Sequence, residues 1–313
     1  MDTLARPLNL SAYNKDQLSE FINQFDVIFS DCDGVLYNEG SVIDNSNKVI
    51  NKFIENGKKV FFITNNSQSL REEILERYQK LNFNVTIDNI LTCPYLTAKY
   101  LSSLNFTKKA FVIGCENIGK ELDKFGIEHI GIGADPMIGS LNEYVTGHYR
   151  LDPDVGAVIV SMDSHFSLPK MLKAMNYLLK PDMLLLATNA DDRSEFPGFV
   201  FPDTGPFLAA VERSSYKKAT IIGKPSTTLT KFLELPVDKS KILMIGDRLN
   251  IDIAFGKNAG FKTLLVETGD HKMQNVEEMV QKIEIGGFSN VEEVIIPDYV
   301  ISSIGKFNLV YDE

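Results

Sequence analysis

Short apolar runs separated by amphipathic stretches set the frame for this chain. Such runs occupy 26–30, 59–64, 110–113, 157–161, 184–188, 220–223, 241–245 and 262–266. Each is rich in Val, Ile, Leu or Phe and stops at polar or turn-forming residues, so each reads as a buried strand. Between them, 45–55, 69–81 and 118–125 carry helical patterning, and Gly57 and Gly126 act as stop signals. Strand–helix alternation predicts an α/β fold with parallel sheets covered on both faces by helices. In folds of that kind, ligands collect outside the carboxyl ends of the strands.

Four of the runs end in residues suited to chemistry. Val27-Ile28-Phe29-Ser30 stops at Asp31-Cys32-Asp33-Gly34. In an extended backbone, residues i and i+2 face one side, so Asp31 and Asp33 share a site while Cys32 points away. Two carboxylates held together are costly to bury unless a cation lies between them, and hard divalent cations take oxygen ligands. The run 59–63 leads into Thr64-Asn65-Asn66-Ser67, the run 220–222 into Gly223-Lys224-Pro225, and the run 241–245 into Gly246-Asp247-Arg248-Leu249-Asn250-Ile251-Asp252. Taken singly, these are ordinary turn, cap and loop residues. Their recurrence at one end of four strands argues for a common site.

Composition narrows the setting. The chain has 313 residues, enough for two domains, and a formal net charge of −10. A balance that acidic argues against non-specific nucleic-acid binding, which needs a basic face. No apolar run is long enough to span a bilayer, and the N-terminus shows no signal-peptide core, so no membrane partner is expected. Cys32, Cys93 and Cys115 have no metal-ligand spacing, and their odd number points to a reducing, cytoplasmic compartment.

With these motifs in order, the sequence resembles the haloacid dehalogenase superfamily of phosphatases. The resemblance rests on Asp31-x-Asp33-Gly34-Val35, Thr64, Lys224 in Gly-Lys-Pro, and Gly246-Asp247 followed by Asp252. Thr64-Asn65-Asn66-Ser67, Ala187-Thr188-Asn189-Ala190-Asp191 and Asp247-Arg248-Leu249 bring it closer to the 4-nitrophenyl phosphatase, phosphoglycolate phosphatase and pyridoxal phosphatase branch. The resemblance implies a Rossmann-like core with a parallel sheet and an inserted α/β cap. Asp31 to Thr64 is 33 positions, room for one helix, whereas Thr64 to Lys224 is 160 positions. The cap is therefore expected at 106–215, with the core at 1–105 and 216–313. Ser161, where the family usually has glycine, and Pro202-Asp203-Thr204-Gly205, where it has a Pro-Gly-x-Gly turn, depart from the pattern.

The resemblance also implies a mechanism. Asp31 is the expected nucleophile, forming an aspartyl-phosphate, and Asp33 the acid that protonates the leaving oxygen and then activates water. Mg²⁺ is expected on the Asp31 carboxylate, the Asp33 main-chain carbonyl and Asp247, with Asp252 orienting metal-bound water. Thr64, the amides of Asn65, Asn66 and the Gly34 turn, and Lys224 are expected to hold the phosphate. Arg248 is expected to pair with a nearby carboxylate.

Other signals carry less. Gly114 to Lys120 nearly matches a phosphate-binding loop, but Glu121 stands where a metal-binding hydroxyl is required. His129, His148, His165 and His271 lack zinc spacing and read as surface or cap residues. After Asn189, Arg193 is a candidate for a substrate carboxylate and Phe196 for an aromatic ring. The expected activity is hydrolysis of a small phosphorylated metabolite of the phosphoglycolate, 4-nitrophenyl phosphate or pyridoxal phosphate type. The alternatives are a phosphoprotein phosphatase and a catalytically retired binding or scaffold protein. A homodimer through the cap is implied by the resemblance.

Overall fold

The computed structural model describes residues 6–38, 40–196, 198–284 and 295–311. The chain divides into two compact units, one of Met1–Thr64, Glu72–Leu91 and Lys224–Glu313, the other of Asn65–Arg71 and Thr92–Gly223. The first unit contains a seven-stranded sheet in the order Leu8–Asn9, Tyr299–Ile301, Lys262–Val266, Ile242–Gly246, Val27–Ser30, Lys59–Thr64, Ile90–Thr92. Val27–Ser30 is buried throughout and pairs in parallel with both neighbours, Ser30 lying opposite Ile245 and Phe62. Strand order reverses between Val27–Ser30 and Ile242–Gly246. The crevice at their carboxyl ends is thus the topological switch point, where α/β sheets bind ligands.

Helices Lys15–Ile22, Ser46–Glu55 and Arg71–Lys80 cover one face, where Leu18, Phe21, Val49, Phe53, Ile74 and Tyr78 join Ile28, Phe62 and Leu243 in one core. On the other face Leu249, Ile253 and Val276 pack with Leu265 and Val300.

The second unit has its own parallel sheet, ordered Thr220–Ile221, Leu184–Ala187, Val155–Val160, Lys109–Ile113, His129–Ile130. Alternate side chains of each strand feed two cores. Phe111 and Val158 meet Tyr177, Leu178 and Val211, while Val112 and Ile159 meet Leu101, Ile118 and Leu122. Helix Cys93–Ser103 contributes Ala98 and Leu101 to the latter core, and Thr220 pairs with Leu186. The second compact unit thus takes in Thr92–Gly223, a span wider than the expected 106–215. Among the described residues, no helix is long and apolar enough to cross a membrane.

Candidate active site

Asp31, Lys224, Asp247 and Asp252 converge at the switch point of the first unit. Asp31 follows the buried strand Val27–Ser30, and Asp247 follows Ile242–Gly246. The chain then enters a single π-helical turn, Leu249–Ile253, a geometry frequent at functional sites. That turn carries Asp252 back toward the strand end. Asp31, Asp247 and Asp252 each offer a carboxylate oxygen within 4.8 Å of the others. Two glycines make this approach possible. A Cβ on Gly246 would fall 2.1 Å from the Cβ of Asp252, and one on Gly34 would fall 2.6 Å from Asp247 Oδ2. Gly34 also adopts φ +77°, a left-handed conformation that L side chains resist.

Lys224 holds the cluster together. Its side chain is 1% exposed. Nζ donates to Asp252 Oδ1 at 2.7 Å, to the Ile63 carbonyl at 2.8 Å, and to Asp31 Oδ1. Burial works against its charge, but Asp252 and Asp31 outweigh that and hold its pKa above the ordinary lysine value. Burial pushes Asp31 well above the usual carboxylate range; Lys224 pulls it down, while Asp252 and Asp247 push it further up. Asp247 is raised to about 7, first by burial and then by Asp252. Fully ionised, the three carboxylates would exceed the one ammonium by two charges, and this repulsion adds to burial in raising Asp31 and Asp247.

The hydrogen bonds distinguish the carboxylates. Both oxygens of Asp252 are engaged, Oδ1 by Lys224 and Oδ2 by the Arg248 amide at 3.0 Å. Asp247 Oδ2 accepts the Asp270 amide at 2.8 Å, but its Oδ1 is buried with no partner among the described residues. Such an orphaned oxygen is costly unless something else meets it. The crowded carboxylates and an unpartnered oxygen together fit a divalent cation on Asp31 and Asp247, with Asp252 behind them.

Asp33 opens to solvent at the edge of the cluster, yet the surrounding protein excludes enough water to raise its carboxyl. Arg77 and Lys224 pull in the other direction. Cys32 turns into the apolar core, where its Sγ accepts the Tyr78 hydroxyl at 2.9 Å. Burial pushes that thiol up, so it is unreactive at neutral pH. Thr64 is buried at the end of Lys59–Thr64. The Gly34 N–H is taken by Asn38 Oδ1 at 3.0 Å and the Tyr37 carbonyl at 3.1 Å, so this amide is committed within its own turn.

The family model for haloacid dehalogenase-like hydrolases matches residues 28–128, and a second model of the same superfamily matches 221–305. Glycerol-3-phosphate phosphatase from Homo sapiens is 31% identical over 312 residues, covering 96% of this chain and 94% of that protein. Phosphoglycolate phosphatase 1A of Arabidopsis thaliana is 33% identical over 94% of this chain and 78% of its own. The chain belongs to the haloacid dehalogenase-like phosphatases. A solved p-nitrophenyl phosphatase from Archaeoglobus fulgidus superposes with a TM-score of 0.71 at 26% identity, covering 90% of this phosphatase and 97% of that chain.

Residues of the phosphatase that sequence reasoning passed over also support the site. His271 is half-buried, not a surface or cap residue. Its amide donates to the Asp247 carbonyl at 3.0 Å and its Nδ1 accepts the Leu249 amide at 3.0 Å. Burial lowers its pKa, which suits the neutral ring that this acceptor role demands. The signal was available, because Gly269-Asp270-His271 lies just past the strand Lys262–Val266. Arg248 Nε pairs with Asp270 at 3.2 Å, the neighbouring carboxylate expected of it.

The remaining expected residues belong to the second unit. Asn65 Nδ2 donates to Asp191 Oδ2 at 2.9 Å. Asn66 Oδ1 accepts the amides of Gln68 at 2.8 Å and Ser69 at 3.0 Å, shaping the turn before helix Arg71–Lys80. Arg193 is exposed and starts the hairpin Arg193–Phe196 with Phe199–Pro202. The Phe196 side chain lies outside the described residues. The two departures from the family pattern have structural uses. Ser161 Oγ accepts the Thr188 hydroxyl at 2.9 Å, and Asp203 caps helix Thr204–Ser215 by accepting the Thr204 amide at 2.6 Å.

Proposed function

We propose that this chain is a Mg²⁺-dependent phosphatase that hydrolyses small phosphate monoesters through an aspartyl-phosphate. The observation that carries the reading is the buried Asp31–Lys224–Asp252 constellation beside the orphaned oxygen of Asp247. A retired scaffold has no use for charges this costly to bury. The Asp31 carboxylate, the Asp33 main-chain carbonyl and Asp247 would hold the metal. Its charge there would offset the repulsion between carboxylate and phosphate.

The residues divide the work. An Asp31 oxygen attacks phosphorus as the ester P–O bond breaks, and the Asp33 proton passes to the leaving oxygen. Water then attacks phosphorus and gives its proton to Asp33; phosphate leaves and the Asp31 carboxylate is restored. The raised pKa of Asp33 suits it to begin as an acid. Thr64 and Lys224 oppose the charge on the transferring group. The odd number and the spacing of Cys32, Cys93 and Cys115 support a reducing, cytoplasmic setting.

The related phosphatases are named for glycerol-3-phosphate, phosphoglycolate and 4-nitrophenyl phosphate. These esters share only a phosphoryl group on a small alcohol or phenol. Turnover across a panel of phosphorylated metabolites and phosphopeptides, with Mg²⁺ and with chelator, tests the proposal. Mg²⁺-dependent release of phosphate from small esters supports it. Equal rates with chelator, or turnover of phosphopeptides alone, contradict it.

A further inference from the structure

We propose that Asp191 is a positioning residue for phosphate binding. The inference rests on the phosphatase reading above, and it concerns a buried carboxylate that the mechanism does not use. Asp191 is only 9% exposed. Its Oδ2 accepts two side-chain amides, Asn65 Nδ2 at 2.9 Å and Asn189 Nδ2 at 2.8 Å. Its own carbonyl accepts the Gly205 amide at 2.8 Å, which ties it to the start of helix Thr204–Ser215. Asn189 is anchored in turn by Asp203 Oδ1 at 3.2 Å and by the Thr188 hydroxyl at 2.9 Å. The carboxylate thus sits in a fixed frame and presents that frame to Asn65.

Asn65 is where this matters. It follows Thr64 directly, and its carboxamide lies against Gly223, which directly precedes Lys224. A Cβ on Gly223 would fall 2.6 Å from Asn65 Oδ1 and 2.7 Å from the Thr188 carbonyl. The Gly223 amide donates to that same Thr188 carbonyl at 2.8 Å. Within the first unit, Lys224 Nζ grips the Ile63 carbonyl. Segments 63–65 and 223–224 are therefore pinned side by side, and each carries one of the groups assigned to the phosphate, Thr64 and Lys224. The Asp191–Asn65 bond fixes the Asn65 carboxamide in that arrangement. Without it, the carboxamide loses its charged anchor, and the turn that directly follows Thr64 loses a constraint on its orientation. Misplacement of catalytic groups on the ångström scale is enough to cost orders of magnitude in rate.

The test begins with native protein and 4-nitrophenyl phosphate. Absence of turnover there overturns the phosphatase reading and is distinguished from any result on the variants. Competitive inhibition by inorganic phosphate is then measured for D191A, D191N, N65A and the D191A/N65A pair, with thermal midpoints alongside. D191A and N65A are each expected to weaken phosphate inhibition at least roughly tenfold. The double variant should be no weaker than either single one, because one bond is lost in all three. D191N keeps an acceptor oxygen and should recover most of the inhibition. Should D191A fail to fold, N65A reads the same bond while leaving the main chain at 65 intact. Unchanged phosphate inhibition in N65A, or losses that multiply in the double variant, overturn the proposal. So does a lowered thermal midpoint with phosphate inhibition unchanged.

Discussion

The two sheets of this phosphatase end in polar clusters of opposite character. At the carboxyl end of the first sheet, three aspartates crowd one buried lysine, and an Asp247 oxygen is left without a partner among the described residues. At the corresponding end of the second, Ser161, Thr188, Asn189, Asp191 and Asp203 form a network in which neutral hydroxyls and amides answer each carboxylate. One cluster crowds like charges around an oxygen with no partner among the described residues, and the proposed metal would relieve both. The other is satisfied internally and lends stiffness. The same topology thus serves chemistry in one unit and shape in the other, according to how the carboxylates are partnered.

The largest expected effect breaks the first cluster's chemistry. Asp31→Asn should lower turnover by several orders of magnitude with the fold retained, since it removes the proposed nucleophile and one of three crowded carboxylates. Circular dichroism and 4-nitrophenyl phosphate turnover check this; substantial residual activity contradicts the assignment. Lys224→Met should abolish turnover and destabilise by about 3–5 kcal/mol, because it strands buried carboxylates. Chemical denaturation measures that cost, and a loss under about 1 kcal/mol would place the stabilisation elsewhere. Asp247→Asn should raise the Mg²⁺ concentration for half-maximal activity by at least roughly 100-fold, beyond the effect of outer-shell changes. An unaltered Mg²⁺ requirement removes Asp247 from the metal site.

A pH series sharpens the contrast. Asp247 titrates at about 7 in the folded protein, against about 4 when unfolded. Between those values the folded state keeps a proton that the unfolded chain has released. This group's contribution is therefore complete below pH 4 and is lost as pH rises through 7. Metal-free protein should melt lower at pH 8 than at pH 5, and Mg²⁺ should restore more at pH 8. Equal Mg²⁺ effects at both values would mean that Asp247 does not meet the ion. The smallest effect lies in the second cluster. Thr188→Val should cost about 1–3 kcal/mol of stability and leave the Mg²⁺ requirement unchanged. A shifted Mg²⁺ requirement would dissolve the distinction between the clusters.

Much of this was legible in the sequence because buried parallel strands leave an unmistakable pattern. Lys59–Thr64 and Lys262–Val266 fall where their apolar residues place them, and the polar motifs mark their carboxyl ends. The edge strand Leu8–Asn9 and its neighbour Tyr299–Ile301 were not legible. They are two and three residues long and exist because Leu8 and Tyr299 pair across the fold. Helix Cys93–Ser103 buries Cys93, Pro94, Leu96, Thr97, Ala98 and Leu101, too broad a face to show a clean helical period. Its packing moves the unit boundary, and no local signal announces it. Asp191 reads as a loop aspartate in the sequence; only the structure shows two amides converging on one of its oxygens.

Chemical trapping addresses the central claim most directly. Enzyme turning over 4-nitrophenyl phosphate with Mg²⁺ is quenched into borohydride, which reduces an acyl phosphate to an alcohol, and the peptide containing residue 31 is sequenced by mass spectrometry. Homoserine at position 31, dependent on both ester and Mg²⁺, is the predicted result. Vigorous turnover with unmodified Asp31, or reduction at another carboxylate, would contradict it.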